Sequence, residues 1–273
     1  MVWGFDISEC HWAIQWCLVF VLPLVPWYHL FTITLIQQKA KRLLSDDLER
    51  IKHRALAGRA PNAPALADLL DSSNITGLRL GEWPTAIFRP SKVPGFKFEL
   101  IVRNGKRNAI RAHGEFRTLR WTELSKETVA TITNWVTQAS EAENAGTYKT
   151  LIATLRALMG QMTKDLFPRR QKHPMLTTPR HEAAARWKAV YVNSATTDEE
   201  RLRGLAIVAA LLGHATDETA TIHYGRPRRG EGGSSRFPVP VPDAAEVARV
   251  RRRMQMKLER LATTRRRPDG HRP

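Results

Sequence analysis

Leu211-Leu212-Gly213-His214-Ala215-Thr216-Asp217-Glu218-Thr219-Ala220-Thr221-Ile222-His223-Tyr224-Gly225 places a histidine directly after a Leu-Gly pair, then a threonine-rich turn, then a tyrosine ten positions beyond the histidine. Gly213 marks the end of one helix, because glycine takes the left-handed backbone that closes helices at little steric cost. A helix stopping there presents His214 as a candidate phosphate-binding group and leaves Tyr224, a candidate nucleophile, on the segment that follows. The alternative is a glycine break between two helices with an ordinary half-buried tyrosine. What separates the two is whether the rest of the chain brings the cations that a phosphate-attacking tyrosine requires.

Immediately upstream, residues 198–212 form the helix that presents His214. Before it, Leu176-Thr177-Thr178-Pro179-Arg180-His181 leads into a helix over residues 182–192. Residues 148–166 carry Leu151, Ile152, Leu155, Leu158, Met159 and Met162 at helical spacing and stop before Pro168; this Met and Leu stripe reads as core. Residues 122–140 open with a capping-type Ser125-Lys126-Glu127 and turn Val129, Ile132, Trp135 and Val136 inward. Downstream, residues 226–237 are a Gly/Arg/Ser loop, and Asp243 caps a last helix with an apolar stripe of Val247, Val250, Met254, Leu258 and Leu261. Such a helix must dock, either on its own domain or on a neighbouring protomer.

Further toward the amino end the period changes. Phe96, Phe98, Leu100 and Val102 alternate on one face of a strand over residues 96–103. Asn104-Gly105 signals a hairpin and Lys106 follows it, and residues 110–121 return through Arg111, His113, Glu115 and Arg117. The hairpin either holds Lys106 over a partner or is a solvated basic ribbon. Residues 65–70 read as a short helix, followed by Asn74-Ile75-Thr76-Gly77-Leu78-Arg79-Leu80-Gly81-Glu82-Trp83. There a glycine turn delivers Arg79, with Glu82 three residues on and able to hold it. The plain alternative is a surface turn with a weak ion pair. Residues 39–56 form a charged amphipathic helix with Leu43, Leu44, Leu48 and Ile51, and residues 57–64 are a Gly/Pro break. No internal repeat is visible.

Residues 10–38 hold no Asp, Glu, Lys or Arg, and residues 12–36, almost wholly apolar, are long enough to cross a bilayer as a helix. Lys39, Lys41 and Arg42 follow while Asp6 and Glu9 precede, so an anchor there would leave the remainder cytoplasmic. The amino end lacks the basic region of a cleaved signal peptide. Pro23 and Pro26 interrupt a continuous helix. Three readings stand: a membrane anchor, a buried apolar arm, or an amino end foreign to the functional protein. The organisation expected is an apolar segment over residues 1–38, a catalytic-type domain over residues 39–240, and a basic helix and tail over residues 241–273.

A chain of 273 residues with 42% hydrophobic content can bury one or two cores. Its formal net charge of +17 favours a polyanionic partner, either nucleic acid or an anionic membrane face. Part of the surplus lies in the tail, at Arg249, Arg251, Arg252, Arg253, Lys257, Arg260, Arg265, Arg266 and Arg267. Cys10 and Cys17 share the apolar segment without a CxxC, which argues against a disulfide framework or a zinc site and for a reducing compartment.

In chain order the candidates are Arg79 on a TGLRxGE turn, Lys106 on a hairpin, Arg180-His181 at a helix start, and Leu-Gly-His214 followed by Tyr224. That order, in those local contexts, resembles the catalytic domain of the tyrosine recombinases, the phage-integrase family, over roughly residues 66–237. The resemblance implies an α+β, mainly helical fold with a small antiparallel β-hairpin sheet. It implies site-specific recombination of DNA with neither metal nor cofactor, in a synapse of several copies of the chain. Tyr224 would attack a backbone phosphate to give a 3′-phosphotyrosyl link. Arg79 and Arg180 would clamp the non-bridging oxygens, His214 would donate a further hydrogen bond, and Lys106 would protonate the leaving 5′ oxygen.

Two departures from the family pattern follow. Thr177 stands three residues before Arg180, where the family usually has a histidine thought to assist proton removal from the nucleophile. His181 or His223 would have to compensate, with Glu82 supporting Arg79. The helical DNA-gripping domain that usually precedes the catalytic one is replaced by the apolar segment and a short charged helix. The competing expectations are a catalytically impaired DNA-binding remnant of an integrase and a basic protein anchored in the membrane through residues 12–36.

Overall fold

A computed structural model describes residues 46–58, 60–105, 114–215 and 237–265, apart from some side chains near the end of the last helix. The apolar segment of residues 1–38, Lys106, His223 and Tyr224 lie outside the described residues. Among those described, no helix is long and apolar enough to cross a membrane.

The molecule is built around α2, Ala63–Thr76, which is buried along most of its length. Against it pack α1 (Asp47–Ala57), α3 (Lys126–Asn144) and α5 (Thr178–Tyr191), with α4 (Tyr148–Leu166) lying against α1. Leu66, Leu69 and Leu70 of α2 are fully buried in a core that also takes Ile132 and Trp135 of α3, Leu155 of α4 and Trp187 of α5. Trp135 meets Trp83 edge to face, with ring centroids 6.3 Å apart.

The second layer is a four-stranded antiparallel sheet in the order β1-β2-β3-β4, formed by Ile87–Pro90, Phe98–Arg103, Phe116–Trp121 and Val241–Pro242. Register runs from Phe98↔Trp121 to Arg103↔Phe116 between β2 and β3. Of the face expected over residues 96–103, Leu100 and Val102 are buried while Phe96 and Phe98 are half-buried, and Leu119 and Trp121 of β3 are buried with them. The architecture is therefore α+β and mainly helical. The sheet is larger than the expected hairpin, because β1 and β4 are too short to carry a period of their own and form only as β2 and β3 offer their edges.

Two helices are longer than their sequence suggests. The short helix expected at residues 65–70 begins at Ala63, with Pro64 accommodated in its first turn, and runs on to Thr76. Its polar end survives burial because Ser72 Oγ donates to the Thr131 carbonyl at 3.3 Å and Asn74 Oδ1 accepts from Arg186 Nη1 at 3.1 Å. The helix expected from Glu182 begins at Thr178, because Pro179 again fits the first turn. Arg180 consequently lies inside a rigid element and not on the approach to it. The expected spans of 148–166 and 198–212 match α4 and α6, Asp198–Leu212.

The last helix, α7 (Ala244–Arg265), docks on its own domain against α6, with Val250 fully buried. Asp243 Oδ1 accepts from Ala245 N at 2.8 Å, and its Oδ2 pairs with Arg120 of β3 at 2.9 Å. Glu246 is buried and Oε1 accepts from Thr118 N at 2.9 Å, tying the helix to β3. Burial, then the nearby Asp243 carboxylate, pushes Glu246 up to about 7, against the pull of Thr118 N, Arg249 and Arg117. Because its folded pKa lies above the unfolded value, its contribution is fully present below about pH 4.5 and is lost as pH rises toward 7. Glu246→Gln keeps the bond to Thr118 without the charge. It is expected to stabilise the protein by about 1–3 kcal/mol at pH 8 and to leave stability near pH 4 unchanged, as read by urea melts at both pH values.

Candidate phosphate-binding site

Glu82 stands at the centre of the site. It belongs to a 3-10 turn, Leu80–Thr85, that follows the end of α2, where Gly77 takes a left-handed backbone with φ 61°. A side chain at Gly77 would put its Cβ 2.7 Å from the Trp187 ring, so a glycine is required for this turn to sit against α5. Tyr148 Oη donates to the Leu80 carbonyl and holds the turn from the other side.

The Glu82 carboxylate is fully buried and is met by three arginines. Arg79 donates to it twice, from its backbone N to Oε2 and from Nη1 to Oε1, each at 2.7 Å. Arg117 makes a two-pronged contact, Nη2 to Oε2 at 2.6 Å and Nη1 to Oε1 at 3.2 Å. Arg180 Nη1 lies 4.0 Å from Oε2 while also donating to the Gly77 carbonyl, and its Nη2 donates to the Leu212 carbonyl at 3.0 Å. Gly105 N, next to Lys106 in sequence, donates to Glu82 Oε1 at 3.2 Å. Burial alone would push the Glu82 carboxyl up. The guanidinium groups, Arg117 foremost and then Arg180 and Arg79, reverse this and hold it well below the usual carboxylate range.

His214 arrives from α6. That helix is started by a capping box between Thr197 and Glu200 and closed by Gly213, whose φ is 68°. His214 N donates back to the Ala209 carbonyl at 2.9 Å, and the residue is 4% exposed. Burial first, then the charges of Arg180, Arg79 and Arg117, push its imidazole down to about 2. It is neutral at physiological pH and offers a hydrogen bond without a charge.

Arg79, Arg180, His214 and Glu82 are thus brought together from three parts of the chain. The surface-turn alternative for Arg79 and Glu82 is overturned, since Glu82 is fully buried and a quarter of the Arg79 side chain is exposed. Thr177 is exposed at the N-cap of α5 and makes no capping bond, whereas the adjacent Thr178 is buried and accepts from Met175 N at 2.9 Å. His181 is half-buried in the first turn of the same helix. Lys106, His223 and Tyr224 lie outside the described residues.

Two members of the cluster had not been singled out. Arg117 is fully buried, and Asn104, expected only as a turn residue, accepts from Arg117 Nη1 at 2.5 Å through Oδ1. A signal for Arg117 exists in the strand period: it shares a face with Leu119 and Trp121 and points where a charge needs a partner. Three guanidinium groups against one carboxylate leave a positive surplus, suited to an oxyanion such as a phosphodiester. Among the described residues, no group of three or more His, Cys, Asp or Glu is arranged to hold a metal ion. Comparison with protein-family models, with curated proteins and with solved structures found no match.

Proposed function

We propose that the protein binds DNA through its phosphate backbone and cleaves and rejoins strands through a phosphotyrosyl intermediate, in the manner of the tyrosine recombinases that its sequence resembles. The observation that carries this is the convergence of Arg79, Arg180 and His214 around buried Glu82. Arg79 and Arg180 would hold the non-bridging oxygens and neutral His214 would donate to the same phosphoryl group. The Tyr224 hydroxyl would give up its proton to solvent and its oxygen would form a bond to phosphorus as the bond to the 5′ oxygen breaks, with Lys106 giving its own proton to that leaving oxygen.

Chemistry also favours Tyr224 over Tyr148 and Tyr191. Both donate to backbone carbonyls, of Leu80 and Pro240, and burial pushes both hydroxyls above their ordinary pKa. Neither is suited to becoming a phenolate nucleophile.

A nicked suicide duplex tests the proposal. Intact protein should become covalently joined to DNA at Tyr224, and Tyr224→Phe should not. Binding without any adduct would favour the second reading, a DNA-binding remnant of an integrase, which Thr177 supports because its exposed hydroxyl is a far weaker base than the histidine usual there in the family that the sequence resembles. Because backbone contacts would dominate binding, duplex affinity should fall roughly tenfold or more between about 50 and 200 mM salt. A flat salt response in a gel-shift series would contradict backbone recognition.

A further inference from the structure

We propose that Arg117 is a positioning residue of this site, acting through Glu82 on Arg79 and through Asn104 on the backbone that carries His214; the assignment rests on the phosphate-site proposal above. Arg117 is fully buried and so touches no substrate. One edge of its guanidinium grips both oxygens of Glu82, the carboxylate that fixes the Arg79 backbone and side chain. Nη1 also reaches Asn104 Oδ1. Asn104 in turn closes the base of the hairpin, its N donating to the Glu115 carbonyl at 2.7 Å and its Nδ2 to the Gly114 carbonyl at 2.8 Å.

The third contact is with Gly213. A Cβ built there would stand 2.3 Å from Asn104 Oδ1 and 2.7 Å from Arg117 Nη1, so the glycine backbone lies directly on this pair. One planar group therefore sets three things at once: the turn bearing Arg79, the end of β2 that runs to Gly105, and the helix end bearing His214. A lysine cannot replace it, since an ammonium on a flexible stem does not span two carboxylate oxygens and an amide in one plane.

The test is a double-variant cycle on the full chain, read as affinity for a short DNA duplex at low salt, with thermal melts alongside. R117K and R79A should each weaken binding by roughly tenfold, and R79A/R117K should lose well under the roughly hundredfold product, because the part of the Arg117 effect that runs through Arg79 is counted once and only the part that reaches His214 remains. N104A leaves every charge in place and acts on the backbone that carries His214, so it should weaken binding less and add no more than about twofold to H214A, which keeps the assignment testable if R117K does not fold. Losses that multiply, to roughly a hundredfold in the double variant, overturn it, as does R117K binding like wild type. Folded wild-type protein that does not bind the duplex removes the phosphate-site proposal itself, and the role of Arg117 with it.

Discussion

Replacing Glu82 with alanine is expected to lower the unfolding free energy by about 3–5 kcal/mol, among the largest losses any single substitution in this protein should produce. The reason is asymmetric: the carboxylate is fully buried, and so is the Arg117 guanidinium that faces it at 2.6 Å. Removing the anion leaves a buried cation without its main partner and sets Arg79, Arg117 and Arg180 against one another. Glu82→Gln, which keeps the shape and some acceptors, should fall between alanine and wild type.

The pH profile carries a second signature of the same residue. The folded pKa of Glu82 is depressed, so its contribution is present above its ordinary value of 4.5 and is lost as pH falls toward its lower folded value. Wild type should therefore lose stability on acidification more steeply than Glu82→Ala. Urea melts between neutral and acidic pH check both expectations. A neutral-pH loss below about 1 kcal/mol would show that the arginines find other partners and that Glu82 does not organise the site.

Gly213→Ala should have an effect of similar size and strike the site more directly. At φ 68°, a side chain costs about 1–2 kcal/mol from the left-handed backbone alone. The new Cβ would also overlap Asn104 Oδ1 and Arg117 Nη1, and overpacking of this kind costs about 1–3 kcal/mol more. Neither neighbour can withdraw freely, since each is held by other hydrogen bonds. The expected result is a loss of about 2–5 kcal/mol in chemical denaturation and, on the proposal that this site binds DNA, a duplex affinity reduced even at temperatures where the variant stays folded. Gly146→Ala is the matched control: its φ of 69° imposes similar backbone strain, but a Cβ there meets nothing within 4 Å. If the two variants lose equal stability and bind DNA equally, the packing of Gly213 on the arginine cluster has no functional weight.

The apolar segment of residues 1–38 and the tyrosine at position 224 keep the standing that sequence gives them. The last helix is settled differently. Its stripe showed only that it must dock, and Val250 together with the bonds from Asp243 and Glu246 to β3 assigns it to its own domain.

The sequence by itself determined what depends on neighbours a few residues away. The spans of α4 and α6, the caps at Ser125 and Asp243, the glycine breaks at 77 and 213, and the alternation of β2 are all local. They arise from backbone sterics, short-range hydrogen bonds and helical or strand periods. Arg79, Arg180 and His214 were legible because each sits beside such a signal.

The tertiary structure alone decided what those residues face. Ser72 and Asn74 stay helical because Thr131 and Arg186 satisfy them from other helices. Arg117 becomes part of the site because β2, β3 and the turn at Glu82 meet, and Glu82 passes from a turn carboxylate to the buried centre of three guanidinium groups. Desolvation and charge pairing depend on groups far away along the chain, so a local pattern can place a residue on its element but cannot supply its partners.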